Sequence, residues 1–166
     1  MNDTETLSPA LPSALEEATL RLLERTCAAG LALATAESCT GGMLASLLTD
    51  VEKVSHVFDR GFVTYSEAAK CDLLGVPPAL IEADGVVSRA VAIAMAEGAL
   101  ERSDADIALA ITGFADKGEE PGLVHFACAR RGGATIHREA HFGPIGRGAT
   151  RVAALEVAVA MMTEML

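Results

Sequence analysis

The sequence predicts an α/β fold in which helices pack on a mixed β-sheet. Short apolar segments alternate along the chain with segments of helical periodicity, which is typical of layered α/β domains. Residues 107–111 (IALAI) form a continuous apolar run, as expected for a strand buried on both faces. Two β-prone segments flank Arg131-Gly132-Gly133, and this pattern predicts a β-hairpin.

The first half of the chain divides into two helices and two strands. Ser13 and Glu16 have the spacing of a capping box, so a helix is expected over residues 13–29, ending at Gly30. A strand over residues 31–36 and a helix to about Asp50 follow. Residues 61–65 (GFVTY) are β-prone and form the second strand candidate.

The second half contains more helices and the hairpin. Ser66 can cap a short helix to Leu74, Pro77-Pro78 can start another, and Ser88 can open a longer helix to about Arg102. The remaining predicted elements are the strand at 107–111, the hairpin strands at 123–130 and 134–142, and a helix from Gly146 to the end.

Length and composition indicate one domain with an aliphatic core. The 166 residues are 51% hydrophobic but only 4% aromatic, so Ala, Leu, Val and Ile must fill the interior. Residues 1–12 are polar and interrupted by two prolines, and they are interpreted as a flexible tail. Residues 13–166 are assigned to a single domain.

Charge and cysteine content limit the function classes. The formal net charge of −10 argues against a protein that binds nucleic acid without sequence preference, because such binding needs a basic surface. No apolar run is long enough to span a bilayer, so no membrane partner is expected. The four cysteines have no metal-ligand spacing, which is typical of reduced thiols and favours a cytoplasmic location.

The segment TAESCTGG, residues 35–42, is the candidate site. It joins a predicted buried strand to a predicted helix, and a helix N-terminus offers unpaired N–H groups to an anion or oxyanion. Ser38 is the candidate nucleophile, although Ser38 or Thr40 could equally be a plain helix cap. The segment matches neither the nucleophile elbow nor the P-loop, so a base must come from elsewhere in the chain.

Tyr65 and Lys70 could supply that base. Tyr65 is placed at the end of its predicted strand, at the same sheet edge as Ser38, and Lys70 in the first turn of the next helix. Burial and the helix dipole would lower the pKa of the lysine, and a neutral lysine can take a proton from serine directly or through the tyrosine hydroxyl. The alternative is a solvated lysine and a half-buried tyrosine.

The motifs TAESCTGG, RGFVTYSEAAK and GVVS resemble the CinA C-terminal domain family from about Leu31 onward. The resemblance implies a three-layer α/β/α sandwich with a mixed, mostly parallel sheet of about five strands. It implies hydrolysis of nicotinamide mononucleotide to nicotinate mononucleotide and ammonia, with no metal or other cofactor, by Ser38, Tyr65 and Lys70. Family members are often dimers, so a homodimer is expected.

Substrate contacts are assigned on the same resemblance and on the loop chemistry. They are expected from Glu37, Thr40, Gly41, Gly42, Thr112, Gly113, Arg147 and Arg151, with the two arginines as candidates for holding a phosphate.

Two features depart from the family pattern. The family's glycine-rich loop of the form GIAGPxGG is replaced by residues 112–122, which include the acids Glu119 and Glu120. The segment at 143–147 replaces a GDR pattern. A non-catalytic nucleotide-binding or regulatory module, and an amidase for a different small amide, therefore remain alternatives.

Cys39 and the histidines of the predicted hairpin are further candidates for chemical roles. Cys39 could be a rival nucleophile at the helix N-terminus, but a buried small residue is the favoured interpretation. His125, His137 and His141 lie on the hairpin and could share a face, but the sequence identifies no third metal ligand beside them. No metal site is therefore assigned.

Overall fold

The computed structural model describes residues 11–166, and the tail predicted at residues 1–12 lies, for residues 1–10, outside the described residues. Helices and strands occur in the predicted order. They are α1 (Ser13–Ala29), β1 (Leu33–Glu37), α2 (Met43–Thr49), a 3₁₀ turn (Ser55–Val57), β2 (Phe58–Val63), α3 (Glu67–Leu74), α4 (Pro78–Asp84), α5 (Arg89–Glu101), β3 (Ile107–Gly113), β4 (Leu123–Arg130), β5 (Thr135–His141) and α6 (Arg147–Glu164).

The sheet confirms the predicted fold class. Its five strands lie in the order β2-β1-β3-β4-β5. The strands β2, β1 and β3 pair in parallel, whereas β4 is antiparallel to both of its neighbours. All strands except β4 therefore point in one direction, and the carboxyl ends of β1, β2 and β3 meet at one edge.

Helices cover both faces of the sheet and give it two apolar cores. Side chains of α1, α2 and α6 pack on one face, with residues such as Leu22, Leu44 and Leu155 fully buried against it. The other face carries mostly alanines from the strands, against which α5 packs through Met95. Small strand residues on that face let α5 approach the sheet closely, so the two layers pack without large side chains between them.

Several helix starts were predicted correctly and one was not. The hydroxyls of Ser66 and Ser88 accept hydrogen bonds from the third helical amide of α3 and α5, as expected of N-caps. Ser13 instead lies inside the first turn of α1, whose N-cap is Pro12 and makes no side-chain cap. The capping-box interpretation was therefore wrong, although the bounds of α1 were right.

Strand bounds shifted where pairing partners decided them. Strand β1 starts at Leu33, not at residue 31, and extends through Glu37. Strand β2 runs from Phe58 to Val63, so it starts earlier than predicted and ends before Tyr65. The pairing of Glu37 with Val63 ends the β1–β2 ladder and leaves Tyr65 in the connection to α3.

Helix α5 meets the end of α3 through Gly98. A Cβ atom at this position would lie 2.0 Å from the carbonyl oxygen of Leu74, so only glycine fits without a shift of one helix. The two helices are therefore held at a separation that any side chain at position 98 would increase.

None of the helices between residues 11 and 166 is long and apolar enough to cross a membrane.

Candidate active site

Ser38 directly follows β1 at the carboxyl edge of the sheet. Its amide donates to the carbonyl oxygen of Ile111 at 3.0 Å, so the backbone continues the pairing of β1 with β3 for one more residue. Its side chain is 8% exposed. The sheet therefore fixes the position of the serine, while its hydroxyl stays at the edge of a cleft.

Lys70 meets Ser38 from helix α3. The lysine is fully buried, and its Nζ lies 2.9 Å from Ser38 Oγ and 2.8 Å from the Thr64 carbonyl oxygen. Burial lowers the pKa of Lys70, and this outweighs the nearby thiols and Glu67, which favour the charged form. A neutral lysine amine can donate to the Thr64 carbonyl and accept the proton of the serine hydroxyl.

Glu37 organises the loop that carries Ser38. Its carboxylate accepts the Thr40 hydroxyl at 2.6 Å and the amides of Gly42, Leu44 and Ala45 at 3.2, 3.0 and 2.8 Å. These amides belong to the start of α2, where the helix supplies no acceptors of its own. The buried carboxylate is thus engaged in holding the loop and does not line the cleft.

The amides of this loop differ in their availability to a ligand. Gly41 donates to the Ser38 carbonyl at 3.0 Å, and Gly42 donates to Glu37. The amides of Cys39 and Thr40, by contrast, donate to no oxygen atom within residues 11–166. Of these two residues, Cys39 lines the cleft and Thr40 is fully buried, so the amide of Cys39 is the candidate oxyanion donor of this loop.

A cleft of about 390 Å³ opens beside Ser38 and Lys70. Thr112 and Gly113 at the end of β3 form one wall, followed by the loop at residues 114–118. The Thr112 hydroxyl donates to the Val86 carbonyl at 3.0 Å, and Val86 and Val87 also line the cleft. The volume falls within the range of small-ligand sites.

Tyr65 lies at the mouth of the cleft and not between Ser38 and Lys70. Its side chain is 69% exposed, and it makes no hydrogen bond to either residue in the described part of the chain. Lys70 reaches Ser38 directly. The tyrosine hydroxyl therefore faces the space that a substrate would enter.

Arg147 stands opposite this tyrosine at the start of α6. Its guanidinium lies 2.5 Å from Asp116, and the charge of Asp116 raises the pKa of Arg147, with a smaller contribution from the Tyr65 hydroxyl. Lys117 lines the same wall. Glu119 and Glu120 do not line the cleft, and Glu120 instead contacts His141.

Arg151 lies behind the serine loop. It donates to the Thr40 carbonyl at 2.8 Å, and its guanidinium lies next to Gly41. The cleft is thus lined by six of the residues singled out from sequence, namely Ser38, Tyr65, Lys70, Thr112, Gly113 and Arg147. The others, Glu37, Thr40, Gly41, Gly42 and Arg151, lie in or behind the loop that holds Ser38.

Two contributions to the site were missed from sequence. The Thr64 carbonyl orients Lys70, and Asp116 pairs with Arg147. A backbone acceptor has no side-chain signal. The acid at 116 stood in the loop that departs from the family pattern, and the departure itself was the available signal.

Cys39 is a poor rival to Ser38. Cys39 is 8% exposed, and burial raises the pKa of its thiol to about 11. The amide of Cys39 itself and the charge of Arg151 lower this pKa by less than burial raises it. A thiol with that pKa is almost fully protonated near neutral pH, so the activation expected at a helix N-terminus does not occur.

The hairpin histidines form a group outside the cleft. His125 Nδ1 and His137 Nε2 are 3.0 Å apart, and Glu139 completes a set of three donor atoms within 4.8 Å of one another. Glu139 is the third side chain with a ligand atom at this place, and the sequence alone did not identify it.

The fold and the cleft define an α/β domain with a buried serine–lysine pair at the carboxyl edge of its sheet. The model of the CinA C-terminal domain family matches residues 15–166, and the chain therefore belongs to that family.

Relatives and solved structures agree with this placement. A CinA-like protein from Akkermansia muciniphila is 53% identical over 107 residues, which cover 61% of this chain and 26% of that protein. The crystal structure of the competence/damage inducible protein CihA from Agrobacterium tumefaciens is 42% identical, with a TM-score of 0.91 over 95% of this chain and 98% of that one. A CinA superfamily protein from Escherichia coli is 35% identical, with a TM-score of 0.87 over 100% and 99% of the two chains.

The curated relatives are much longer than this chain. It covers 29% of the Symbiobacterium thermophilum relative and 26% of the Akkermansia one. The solved structures match it almost from end to end.

Proposed function

We propose that this chain is an amidohydrolase that converts nicotinamide mononucleotide to nicotinate mononucleotide and ammonia. The observation that carries the proposal is the 2.9 Å contact between Ser38 Oγ and the buried Nζ of Lys70. Burial lowers the pKa of Lys70 and so favours the neutral amine, which is the form that can act as the base for a serine nucleophile.

The reaction would proceed through an acyl-enzyme. Ser38 Oγ attacks the amide carbon while Lys70 takes the hydroxyl proton, and the amide of Cys39, a residue that lines the cleft, is available to the developing oxyanion. The C–N bond then breaks, and the nitrogen leaves as ammonia with the one proton that Lys70 took from Ser38, with Tyr65 at the mouth as a candidate relay for that proton. Water, deprotonated by Lys70, attacks the ester and releases the carboxylate and Ser38.

The walls of the cleft support an anionic substrate in part. Arg147 and Lys117 offer positive charge to a phosphate, but Asp116 already pairs with Arg147 at 2.5 Å. This carboxylate favours a second candidate, an amidase for a small amide that carries less negative charge.

Ammonia release tests the proposal directly. Purified protein incubated with nicotinamide mononucleotide should release one ammonia per nicotinate mononucleotide formed, and Ser38→Ala should abolish the release. Cys39→Ala is the matched control and should retain turnover.

Other outcomes identify the alternatives. Turnover of uncharged or less anionic amides without turnover of the mononucleotide would favour the second candidate. Binding of the nucleotide in calorimetry with no product would show a non-catalytic module and defeat the proposal.

The assembly and location belong to the same proposal. A homodimer in the cytoplasm, with a small nucleotide as ligand and no nucleic-acid or membrane partner, is expected. Sedimentation of the purified chain measures the oligomeric state, and a monomer at micromolar concentration would contradict the dimer.

A further inference from the structure

Three donor atoms converge on the β4–β5 hairpin, on the face of the sheet that α5 covers. His125 Nδ1 is 3.0 Å from His137 Nε2 and 3.8 Å from a carboxylate oxygen of Glu139. All three donor atoms lie within 4.8 Å of one another. The group is separate from the cleft, because none of its members lines it.

Strand register explains why these residues meet. His125 on β4 pairs directly with Glu139 on β5. His137 on β5 pairs with Ala127, which lies two residues after His125 on β4. Residues two apart in a strand share a face, so both histidines and the glutamate project to the same side. The ladder fixes the group, and no loop movement is needed to assemble it.

The separations fit a tetrahedral transition-metal site. Zinc with nitrogen and oxygen ligands at about 2.0–2.1 Å places neighbouring ligands roughly 3.4 Å apart in tetrahedral geometry. The His125–His137 separation of 3.0 Å and the His125–Glu139 separation of 3.8 Å lie on either side of that value. The His137–Glu139 separation is wider, within 4.8 Å, and the exposed Glu139 side chain would close it when the ion binds. Two imidazoles and one carboxylate are a ligand set that zinc accepts, with a remaining position for water.

The surroundings would orient the ligands. The second oxygen of Glu139 lies 3.4 Å from His141 Nε2, whose other ring nitrogen contacts Glu120 at 2.5 Å. Hydrogen-bonded partners of this kind hold a ligating carboxylate in place. His125 is 8% exposed, while Glu139 lies at the surface, so a metal ion could enter from the solvent side.

We propose that His125, His137 and Glu139 form a binding site for a divalent transition-metal ion, with zinc as the expected ion. The ion ties the edge strand β5 to β4. The site lies in the same row across the sheet as the cleft, since Thr112 pairs with His125, but it takes no part in the proposed hydrolysis.

Calorimetric titration of zinc chloride into the full, EDTA-treated chain tests the site. One equivalent should bind with a Kd on the order of 1 μM or tighter. His137→Ala and Glu139→Gln should each weaken binding by about tenfold or more. His56→Ala is the matched control, because His56 lies away from the hairpin near Cys27 and should leave binding unchanged.

Cobalt provides an independent readout. Cobalt(II) at the site should give the visible absorption of a tetrahedral ion, and His137→Ala should remove it while circular dichroism shows an intact fold. The proposal is overturned if zinc does not bind, if binding survives both hairpin variants, or if His56→Ala abolishes it. None of these results depends on amidase activity.

Discussion

Lys70 Nζ lies 2.9 Å from Ser38 Oγ and 2.8 Å from the Thr64 carbonyl oxygen, so one buried nitrogen joins the loop after β1 to the segment after β2. The lysine therefore has one partner that orients it and one that it can deprotonate. This division of contacts underlies the first three predictions.

Replacing Lys70 by methionine should separate activity from stability. Turnover should fall by about 100-fold or more, because Ser38 loses its base. Stability should stay the same or rise, because an apolar side chain of similar length fills a site that disfavours charge. Initial rates and urea unfolding measure the two effects, with the exposed Lys53→Met as control. A Lys70→Met protein with normal turnover would show that the base is misassigned.

The lowered pKa of Lys70 predicts how stability depends on pH. The unfolded lysine takes up a proton as pH falls through about 10.4, whereas the folded lysine does so only at its own lower pKa. Lys70 should therefore cost increasing stability as pH falls between those two values and a constant amount below them. Urea unfolding of the wild type and Lys70→Met across alkaline pH measures the difference, and parallel curves would contradict a depressed pKa.

Activity should also increase with pH, because it depends on the same ionisation of Lys70 in the folded protein. The value of kcat/KM should rise with pH through the folded pKa of Lys70, because only the neutral amine accepts the serine proton.

Tyr65→Phe should act on turnover and spare the fold. The hydroxyl is exposed and bonded to neither Ser38 nor Lys70 within the described residues, so stability should change by less than about 0.5 kcal/mol. If the hydroxyl helps the leaving nitrogen, kcat should fall by about tenfold or more. Unchanged kcat and KM would remove Tyr65 from the mechanism.

Glu37→Gln should destabilise the domain by about 1–3 kcal/mol. The carboxylate accepts four hydrogen bonds around the start of α2, and an amide presents an NH₂ group to some of those donors. Chemical denaturation measures the loss, and the exposed Glu52→Gln serves as control. Equal stability of the two variants would show that the charge of Glu37 is dispensable.

Asp116→Asn should favour an anionic substrate. The partly exposed pair with Arg147 contributes little to stability, but its removal frees a cation in the cleft wall. The KM for nicotinamide mononucleotide should fall by about two- to fivefold, while that for an uncharged amide stays the same. A higher KM for the mononucleotide would mean that Asp116 itself contacts the substrate.

The sequence predicted most of the fold because its local signals agreed with one another. Each of these signals predicts its element without reference to the rest of the chain: the Ser66 and Ser88 caps, the apolar run of β3 and the Gly-Gly hairpin. The predicted end of β2 at Tyr65 was wrong, because pairing with β1 ends the strand at Val63 and leaves Tyr65 outside it.

The site was predictable to the extent that it depends on motif residues. The motifs predicted that Ser38 and Lys70 would lie close together. They did not show that the Glu37 carboxylate is hydrogen-bonded to the start of α2 and does not face the cleft. Nor could it place Glu139 beside His125, since that neighbourhood depends on which residues of β4 and β5 face one another.

The close packing of Gly98 against Leu74 would make the proposed catalysis sensitive to a position that does not line the cleft. A methyl group there would push the end of α3 outward, and Lys70 lies one turn earlier on the same helix. Displacing a catalytic group by 1 Å can cost about 100-fold in rate. A screen for inactive variants would thus recover position 98 together with the cleft residues. Replacing this glycine by a residue of higher helix propensity would lower turnover without increasing stability.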